Sequence, residues 1–316
     1  MRRVAFTVGP ESTGLRLDVY LASRLRGFSR ARIQEIIASS LIGPAGRKLK
    51  SSSLITPGLR FTILREAEAE LPLPEIPILY QDESLVVLDK PAGVPVHPAG
   101  RYLTHTVTGF LSARFPDRPD PAHRLDRETS GLLVCGRGTA ATKHLKAAFA
   151  RGAVRKQYVA LVEGWPKERR FEVDLPLELG KGTVRLRMAV GQGKEALTVF
   201  RLLRAMQAPT GERFALVSAR PRTGRQHQIR AHLQAVGLPI VGDKLYGSDE
   251  RIFLRFIEGR LSDADRAALR VSRHALHARR LSLPHPADGG IRSWCSPLPA
   301  DLAAFMGGLT QCRFPG

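Results

Sequence analysis

Cysteine is scarce in this chain, and its few copies are widely separated. The 316 residues include three of them, Cys135, Cys295 and Cys312. These form neither a Cys-x-x-Cys pair nor the spacing of a zinc site. An odd and sparse set favours a reducing compartment and argues against a disulfide framework. Because Cys135 ends an apolar run, we expect it to be a small core residue.

Long apolar runs are also missing. No stretch approaches the roughly 18 residues that a membrane-spanning helix needs. The first residues, Met1-Arg2-Arg3, precede an apolar run that is too short for a secretion signal. We find neither a long basic amphipathic helix nor a lipidation signal, which a basic protein would need to stay on a membrane surface. We therefore expect a cytoplasmic protein that does not bind membranes.

Sequence signatures of cofactor-dependent chemistry are absent as well. The chain has no glycine-rich dinucleotide fingerprint, no phosphate-binding loop of the NTPase type and no cluster with metal-ligand spacing. The sequence therefore predicts that the protein uses neither a cofactor nor a metal.

Acidic residues are few relative to basic ones. The chain has 49 Lys and Arg against 29 Asp and Glu, which gives a net charge of +20 and a pI near 10.9. A charge of this sign and size is typical of nucleic-acid-binding proteins. Hydrophobic residues make up 43% of the chain, which is ordinary for a globular protein with a sizeable core.

The basic excess is concentrated at the start of the chain. Residues 1–65 contain 12 Lys and Arg against 3 Asp and Glu, a net charge of +9. An isoleucine stripe over residues 33–37 predicts a helix, for which Ser29 would be the N-cap. Arg30 and Arg32 would lie off that stripe and face a partner. The pattern predicts a small α/β module that binds nucleic acid, although a merely solvated basic surface would have the same charge.

An abrupt change in composition follows the basic module. Residues 66–77 contain four Glu, three Pro and no basic residue, a composition that disfavours helix and sheet and extends the chain. We interpret them as a linker. The large domain, residues 78–316, has short strand patterns such as Leu85–Lys90, and several alternating segments between residues 165 and 221. Consecutive strands with little helix between them predict an α+β domain with a mostly antiparallel mixed sheet flanked by helices.

One charged stretch in the large domain has the pattern of a catalytic loop. In His123-Arg124-Leu125-Asp126-Arg127-Glu128-Thr129-Ser130-Gly131, a carboxylate stands between two guanidiniums, and the apolar run Leu132–Cys135 follows directly. A nearby arginine keeps a carboxylate ionised, and an ionised carboxylate can act as a nucleophile or a general base. By itself, this pattern is more typical of a salt-bridged loop.

Two further elements of the large domain carry candidate site residues. A proline-rich loop from Lys90 to His97 would form a rigid rim that presents both side chains to phosphates, although a purely structural turn has the same composition. Tyr158 lies in the strand pattern Arg155–Gly164. A strand tyrosine is most often a core residue, but a phenol can also stack on a base and exchange a proton.

A second charged stretch begins with Arg220. Either Thr223 or Gly224 could cap a helix there, and three arginines cluster at its start: Arg222, Arg225 and Arg230. A helix N-terminus surrounded by arginines suits a phosphate or a carboxylate. His227 and His232 are five residues apart, which does not place two metal ligands on one helix face.

Several motifs resemble those of the RluA-type pseudouridine synthase family. The match covers essentially residues 14–306. Its main motifs are His-Arg-Leu-Asp-Arg-Glu-Thr-Ser-Gly-Leu-Leu-Val at 123–134, Lys-x-Tyr-x-Ala at 156–160 and Thr-Gly-Arg-x-His-Gln-Ile-Arg-x-His at 223–232. Residues 90–97 and 239–247 also follow the family pattern, and the basic module resembles the alpha-L RNA-binding motif.

The resemblance implies a pseudouridine synthase fold with a central cleft, which isomerises uridine in RNA without a cofactor. It implies that Asp126 is the catalytic residue, attacking either the sugar or the ring. Arg230 would pair with Asp126, with Arg225 as the second choice, and Tyr158 would pack on the base and assist proton removal. The residues left to bind RNA are His123, Arg124, Arg127, Lys90, His97, Arg225, His227, Ile240 or Val241 as an apolar wall, and Arg30 and Arg32.

The appended basic module favours ribosomal RNA of the large subunit over transfer RNA, and we expect a monomer. Two other classes of protein have some of the same features. One is a non-catalytic RNA-binding factor in ribosome assembly. The other is a glycosidase-like hydrolase that uses Asp126 with Glu128, since such enzymes place two carboxylates about 5–9 Å apart around the bond.

Overall fold

A computed structural model describes residues 2–25, 30–65, 72–98, 102, 104–180, 182, 184 and 186–314. Ser29, the side chain of Arg32 and residues 66–71 of the linker lie outside this description, and so do the predictions made for them.

The described chain contains sixteen strands and eight α-helices. The strands are β1 (Arg2–Thr7), β2 (Leu41–Ile42), β3 (Arg60–Arg65), β4 (Ile78–Gln81), β5 (Leu85–Lys90), β6 (Asp120–Pro121), β7 (Ser130–Gly136), β8 (Arg155–Glu163), β9 (Arg170–Asp174), β10 (Leu177–Leu179), β11 (Met188–Val190), β12 (Leu197–Gln207), β13 (Arg213–Pro221), β14 (Leu276–Pro284), β15 (Ile291–Cys295) and β16 (Thr310–Cys312). The helices are α1 (Leu17–Arg24), α2 (Arg30–Ser40), α3 (Val107–Arg114), α4 (Gly138–Ala150), α5 (Gln228–Ala235), α6 (Arg251–Ile257), α7 (Asp263–Leu269) and α8 (Ala300–Gly307). No described helix is long and apolar enough to cross a membrane.

The elements group into two compact units, and the smaller one contains the N-terminal strands and helices. Its sheet is antiparallel with the order β1-β3-β2. The isoleucine stripe of α2 contributes Ile33 and Ile37 to a core that also holds Leu17 and Leu21 of α1. Buried apolar side chains from two helices and a sheet therefore give this unit a core of its own.

The larger unit is built on a sheet with the strand order β16-β12-β13-β8-β14-β7-β5-β4. Among the strand pairs of the described chain, β7 with β14 is the one parallel pair, and the others are antiparallel. The predicted fold class, an α+β domain with a mostly antiparallel mixed sheet, is confirmed.

Strand β7 lies in the middle of the sheet, and all seven of its residues are buried. Leu132 and Val134 pack on one face with Leu145 of α4, whereas Leu133 and Cys135 pack on the other face with Val107 and Leu111 of α3. A strand covered on both faces needs apolar residues at every position, which explains the uninterrupted run in the sequence. The expectation that Cys135 is a core residue is confirmed.

Gly131 brings β7 close to β14. It pairs with Ala278 of β14 and has a φ of +108°, and a Cβ atom added to it would lie 2.4 Å from the Ala278 carbonyl oxygen. This contact distance is far below a normal van der Waals separation, and the left-handed backbone disfavours any L side chain. Glycine is therefore required where β7 leaves the loop that contains Asp126.

We expect Gly131→Ala to destabilise the protein by about 2–4 kcal/mol, because both the steric clash and the backbone strain oppose folding. Gly138→Ala is a matched control, since Gly138 has a φ of +71° but nothing within 4 Å of an added Cβ. That control should cost about 1 kcal/mol. Equal losses in chemical denaturation would show that the close approach to Ala278 contributes nothing.

Candidate active site

Asp126 lies in the loop between β6 and β7, beside the buried Leu125. Its Oδ2 atom accepts a hydrogen bond of 2.8 Å from Nη1 of Arg230, which is in α5. The Asp126 side chain is 22% exposed and that of Arg230 is 8% exposed. The carboxylate therefore remains accessible while its partner is almost fully buried.

Arg230 is held by a second carboxylate. Its Nε and Nη2 atoms donate to the two oxygens of Asp243 at 2.7 and 2.9 Å. Asp243 Oδ1 also accepts the backbone N–H groups of Leu245 and Tyr246, both at 3.0 Å. Because a bidentate pair fixes the plane of the guanidinium, Asp243 determines the direction in which Arg230 presents Nη1 to Asp126.

Asp126 is ionised at neutral pH. Burial raises the pKa of its carboxyl group, but the neighbouring His227 and Arg230 more than offset this effect and hold the pKa well below its usual range. His227 Nε2 is 3.8 Å from Asp126 Oδ1. Asp126 therefore has a negatively charged, partly exposed oxygen pair, as a nucleophile requires.

Tyr158 lies in β8, directly opposite Ala219 of β13 and Ala278 of β14. Burial and the charge of Asp126 raise the pKa of its phenol above the usual value, so that it stays protonated. Its hydroxyl makes no hydrogen bond to any residue that the structure describes. A protonated, unpaired phenol beside Asp126 suits packing on a base or donating a hydrogen bond better than removing a proton.

Lys90 is fully buried, in contrast to its predicted place on an exposed rim. Its ammonium donates to the carbonyl oxygens of Pro91, Val94 and Arg127 at 2.8, 2.9 and 3.1 Å. Burial lowers the pKa of Lys90 to about 7, although Asp126 opposes the shift. The prediction that Lys90 reaches phosphates is wrong, because its donors are used to join the proline-rich loop to the Asp126 loop.

The three residues before and at the start of β7 are also anchored. Glu128 accepts two bonds from Lys244 Nζ at 2.9 and 3.0 Å, and Thr129 Oγ1 lies 2.7 Å from His274 Nε2. Ser130 Oγ lies 3.0 Å from His277 Nδ1. Preorganisation of this kind holds a reactive group within the narrow geometry that catalysis needs.

Glu128 does not have the properties of a glycosidase acid. Burial raises its pKa, but His274 and Lys244 more than offset this effect and lower it overall. A glycosidase acid needs a raised pKa so that it can donate a proton. The paired and ionised Glu128 therefore disfavours the hydrolase alternative.

The arginines next to Asp126 in sequence are not its partners. Arg124 is exposed and forms no ion pair with any residue of the described ranges, although its charge contributes to lowering the pKa of His227. The Arg127 guanidinium donates to the Tyr102 hydroxyl at 3.2 Å and lies 3.5 Å from Glu128. Arg230 supplies the guanidinium that pairs with Asp126, as the resemblance implied.

His123 has a structural environment. Its ring stacks on Phe149 at 4.4 Å, and its Nε2 atom accepts the backbone N–H of Val134 at 3.1 Å. Burial lowers its pKa to about 3, so that it is neutral. These contacts do not support its predicted role in binding RNA. His97, in contrast, is exposed.

Helix α5 begins later than the capping signals predict. Its N-cap is His227, so neither Thr223 nor Gly224 caps it. Thr223 instead bonds to the Gln228 side chain at 2.7 Å, which also accepts the Arg225 N–H at 3.0 Å. Arg225 Nε donates to the Glu195 carbonyl oxygen at 2.9 Å, so the structure pairs Arg230 and not Arg225 with Asp126.

Ile240 and Val241 are 1% and 0% exposed in the main core. Since neither side chain offers surface to the cleft, the prediction of an apolar wall beside the reacting ring is not supported. Asp243 and Tyr246, from the same motif, lie in the site instead, and so does His274. No role was predicted for these three residues, and the motif at 239–247 was the signal that could have indicated the first two. Among the described residues no group of His, Cys, Asp and Glu could hold a metal ion.

Comparisons with known proteins show the family of this chain. The family model of RNA pseudouridylate synthases matches residues 84–235. An RNA pseudouridine synthase of Chloroflexus aurantiacus is 38% identical over 307 residues, which are 93% of this chain and 90% of that protein. The ribosomal large subunit pseudouridine synthase D of Nitrosomonas europaea is 35% identical over 319 residues, 96% of this chain and 87% of that protein.

A solved structure, human RNA pseudouridylate synthase domain containing 1, superposes with a TM-score of 0.61 at 26% identity. The match covers 80% of this chain and 94% of the human one. Fold, site and relatives thus define an isomerase that acts on RNA. The chain belongs to the family of RNA pseudouridylate synthases, and the resemblance seen in its motifs is confirmed.

Proposed function

We propose that this protein converts specific uridines of large-subunit ribosomal RNA to pseudouridine, that it works in the cytoplasm as a monomer, and that Asp126 is its nucleophile. The observation that carries the proposal is the array in which Arg230 joins the accessible Asp126 to the buried Asp243. The choice of ribosomal RNA rests on relatives named ribosomal large subunit pseudouridine synthase D in Nitrosomonas europaea and Pseudomonas aeruginosa.

The reaction needs no external reactant. The bond between the ribose C1′ and ring N1 breaks, and a bond between C1′ and ring C5 forms. C5 loses one proton and N1 gains one, so that atoms and electrons balance without an oxidant or a group donor. Asp126 forms a temporary covalent bond with the nucleoside, and the uracil turns inside the cleft before the new bond forms.

Each site residue has a separate task. Arg230 keeps Asp126 ionised and aimed, and Tyr158 packs on the base. The target uridine has to leave its stack, which costs a few kcal/mol, and contacts of basic residues with phosphates offset that cost. The exposed Arg124 is free of acidic partners among the described residues and is well placed to fill the space that the base leaves.

Mapping pseudouridines in total RNA tests the choice of substrate. Cells that lack the protein should lose pseudouridine at discrete positions of large-subunit ribosomal RNA, and the purified protein should restore it on a transcript of that RNA. Loss confined to transfer RNA would overturn the ribosomal assignment. Free uracil among the products would indicate a hydrolase, and unchanged modification would indicate a non-catalytic assembly factor.

The N-terminal unit is proposed to be an RNA-binding domain of the alpha-L type, followed by the acidic linker and the catalytic domain from residue 78. The Arg30 side chain is 68% exposed and contacts Asp18 at 3.4 Å. Asp18 is also held by Arg16, at 3.0 and 3.1 Å, and by Gln34. Removal of Arg30 would therefore leave Asp18 paired and the unit folded.

We expect Arg30→Ala combined with Arg32→Ala to weaken RNA binding several-fold. The slope of log affinity against log salt should fall by about 1–2, because each lost phosphate contact removes roughly one released counterion. The control is Arg170→Ala combined with Arg292→Ala, which removes two exposed, ion-paired arginines of the larger unit. An unchanged slope in the first variant, measured by filter binding across a salt series, would reject the RNA-binding role of these arginines.

A further inference from the structure

We propose that His227 is a positioning residue for Asp126, that Tyr246 holds its imidazole in the Nε2–H tautomer, and that this N–H faces Oδ1, the oxygen that Arg230 leaves free to attack. The inference rests on the proposed role of Asp126 as the nucleophile. It adds a residue pair to the site and a specific atom to the reaction.

The two oxygens of Asp126 have unequal environments. Oδ2 accepts a hydrogen bond of 2.8 Å from Arg230, whereas Oδ1 has His227 Nε2 at 3.8 Å. A charge-assisted bond withdraws electron density from the oxygen that accepts it, and a contact of 3.8 Å is too long to be a hydrogen bond. Oδ1 therefore keeps the more available lone pair and is the better nucleophile.

The tautomer of His227 follows from an accounting of hydrogen bonds. The Tyr246 hydroxyl accepts the backbone N–H of Met188 at 2.8 Å and lies 3.1 Å from His227 Nδ1. The structure describes no other acceptor for the Tyr246 O–H within hydrogen-bond distance. If the hydroxyl donates to Nδ1, all these groups are satisfied, and the proton of the neutral ring is on Nε2.

Tyr246 is itself fixed in place. The guanidinium of Arg230 lies over its ring at 4.9 Å and that of Arg187 at 5.4 Å. The His227 ring meets it edge to face at 5.7 Å. The Tyr246 side chain is therefore held by the same arginine that binds Asp126. Arg230 thus contacts Oδ2 directly and also fixes the tyrosine that bonds to His227, the residue facing Oδ1.

His227 remains a neutral donor at physiological pH. Burial lowers its pKa to about 4, and the charges of Arg230 and Arg124 act in the same direction while Asp126 and Asp243 oppose them. His227 is the N-cap of α5 and has a φ of 54°, in the left-handed region. In the other tautomer, the Nε2 lone pair would face Oδ1 and repel it. The hydrogen bond from the Tyr246 hydroxyl to His227 therefore affects the carboxylate.

The tautomer can be measured directly by ¹⁵N NMR of protein labelled in the histidine rings. The wild-type protein should show protonated Nε2 at His227, and Tyr246→Phe should lose this preference. The same variant should lower kcat about tenfold with KM changed less than twofold, which is the size expected for the loss of one hydrogen bond, here the one that fixes the His227 tautomer. Tyr80→Phe is the matched control, since its hydroxyl bonds to Asp82 outside the site.

A pair of His227 substitutions separates positioning from packing. His227→Gln retains an N–H donor near the place of Nε2, and His227→Met retains volume without a donor. Turnover by the Gln variant should exceed that of the Met variant at least fivefold, with equal thermal stability. Equal turnover, or an Nδ1–H tautomer in the wild type, would overturn the proposal.

The outcome with Asp126→Asn distinguishes this inference from the proposed function. The Nε2–H tautomer should persist in that variant because Tyr246 sets it. An active Asp126→Asn protein would refute the nucleophile and leave the tautomer result intact. An inactive variant with a changed tautomer would refute only the claim that Tyr246 sets the tautomer of His227.

Discussion

Asp126→Asn should abolish pseudouridine formation and lower the rate by about 10⁴-fold or more, the size of loss expected when a nucleophile is removed. The amide keeps the shape of the side chain and can still accept a hydrogen bond from Arg230 Nη1. It has no negative charge with which to attack the nucleoside. RNA affinity should change less than about threefold, since binding depends chiefly on contacts with phosphates.

Single-turnover conversion of a radiolabelled ribosomal RNA fragment measures this effect, and filter binding measures the affinity. Asp117→Asn serves as the control, because Asp117 is a surface carboxylate paired with Arg137 at 2.8 Å. That control should have wild-type activity. Product formed by Asp126→Asn at a rate near wild type would mean that another group attacks the substrate.

Arg230→Met should lower kcat by about 10²–10³-fold with a smaller change in KM, because it removes a preorganised charge beside the reacting carboxylate. It should also destabilise the fold by about 3–5 kcal/mol, since Asp243 is completely buried and would lose its bidentate partner. Both quantities can be measured on one preparation, by single-turnover kinetics and by urea denaturation.

Adding Asp243→Asn to Arg230→Met should recover most of the lost stability, because the unpaired buried charge is gone and the side-chain oxygen still accepts the two backbone N–H groups, but it should recover none of the activity. Arg225→Met is the matched arginine control and should turn over at nearly the wild-type rate, since Arg225 binds the Glu195 carbonyl oxygen. A large loss in Arg225→Met with normal turnover in Arg230→Met would transfer the role to Arg225.

The sequence predicts much of the framework of this protein because local patterns determine it. The apolar run after Asp126 predicts β7, and this strand is buried on both faces. The motif around residues 223–232 predicts that Arg230 and Asp126 meet, although 104 residues separate them. Such a long-range pairing follows from family resemblance and could not be derived from composition or spacing.

Side-chain direction was not predictable in the same way. Arg124 and Arg127 lie within two residues of Asp126 in the chain, yet Arg124 is exposed and Arg127 bonds to Tyr102. Lys90 has the charge of a phosphate ligand, and only the folded chain shows that three carbonyl oxygens surround its ammonium. The local sequence around a lysine in a loop is the same whether its ammonium binds a ligand or the backbone.

The start of α5 illustrates competition between local and tertiary signals. Thr223 is a good N-cap residue, but its hydroxyl is used by Gln228. Gln228 in turn donates to Thr198 of β12 at 2.9 Å. Because of this hydrogen bond to the sheet, the helix does not begin before its N-cap His227. This start position places the imidazole beside Asp126.

The strand order of the large sheet also determines when each part of the chain can fold during translation. Strand β14, which joins β7 to β8, begins at Leu276, far along the chain from Ser130. A ribosome that adds about 5–20 residues per second takes roughly 7–30 s to cover that interval. The N-terminal unit needs only its own early residues to complete its core. The core residues of the N-terminal unit are therefore all synthesised well before the chain possesses a complete catalytic sheet.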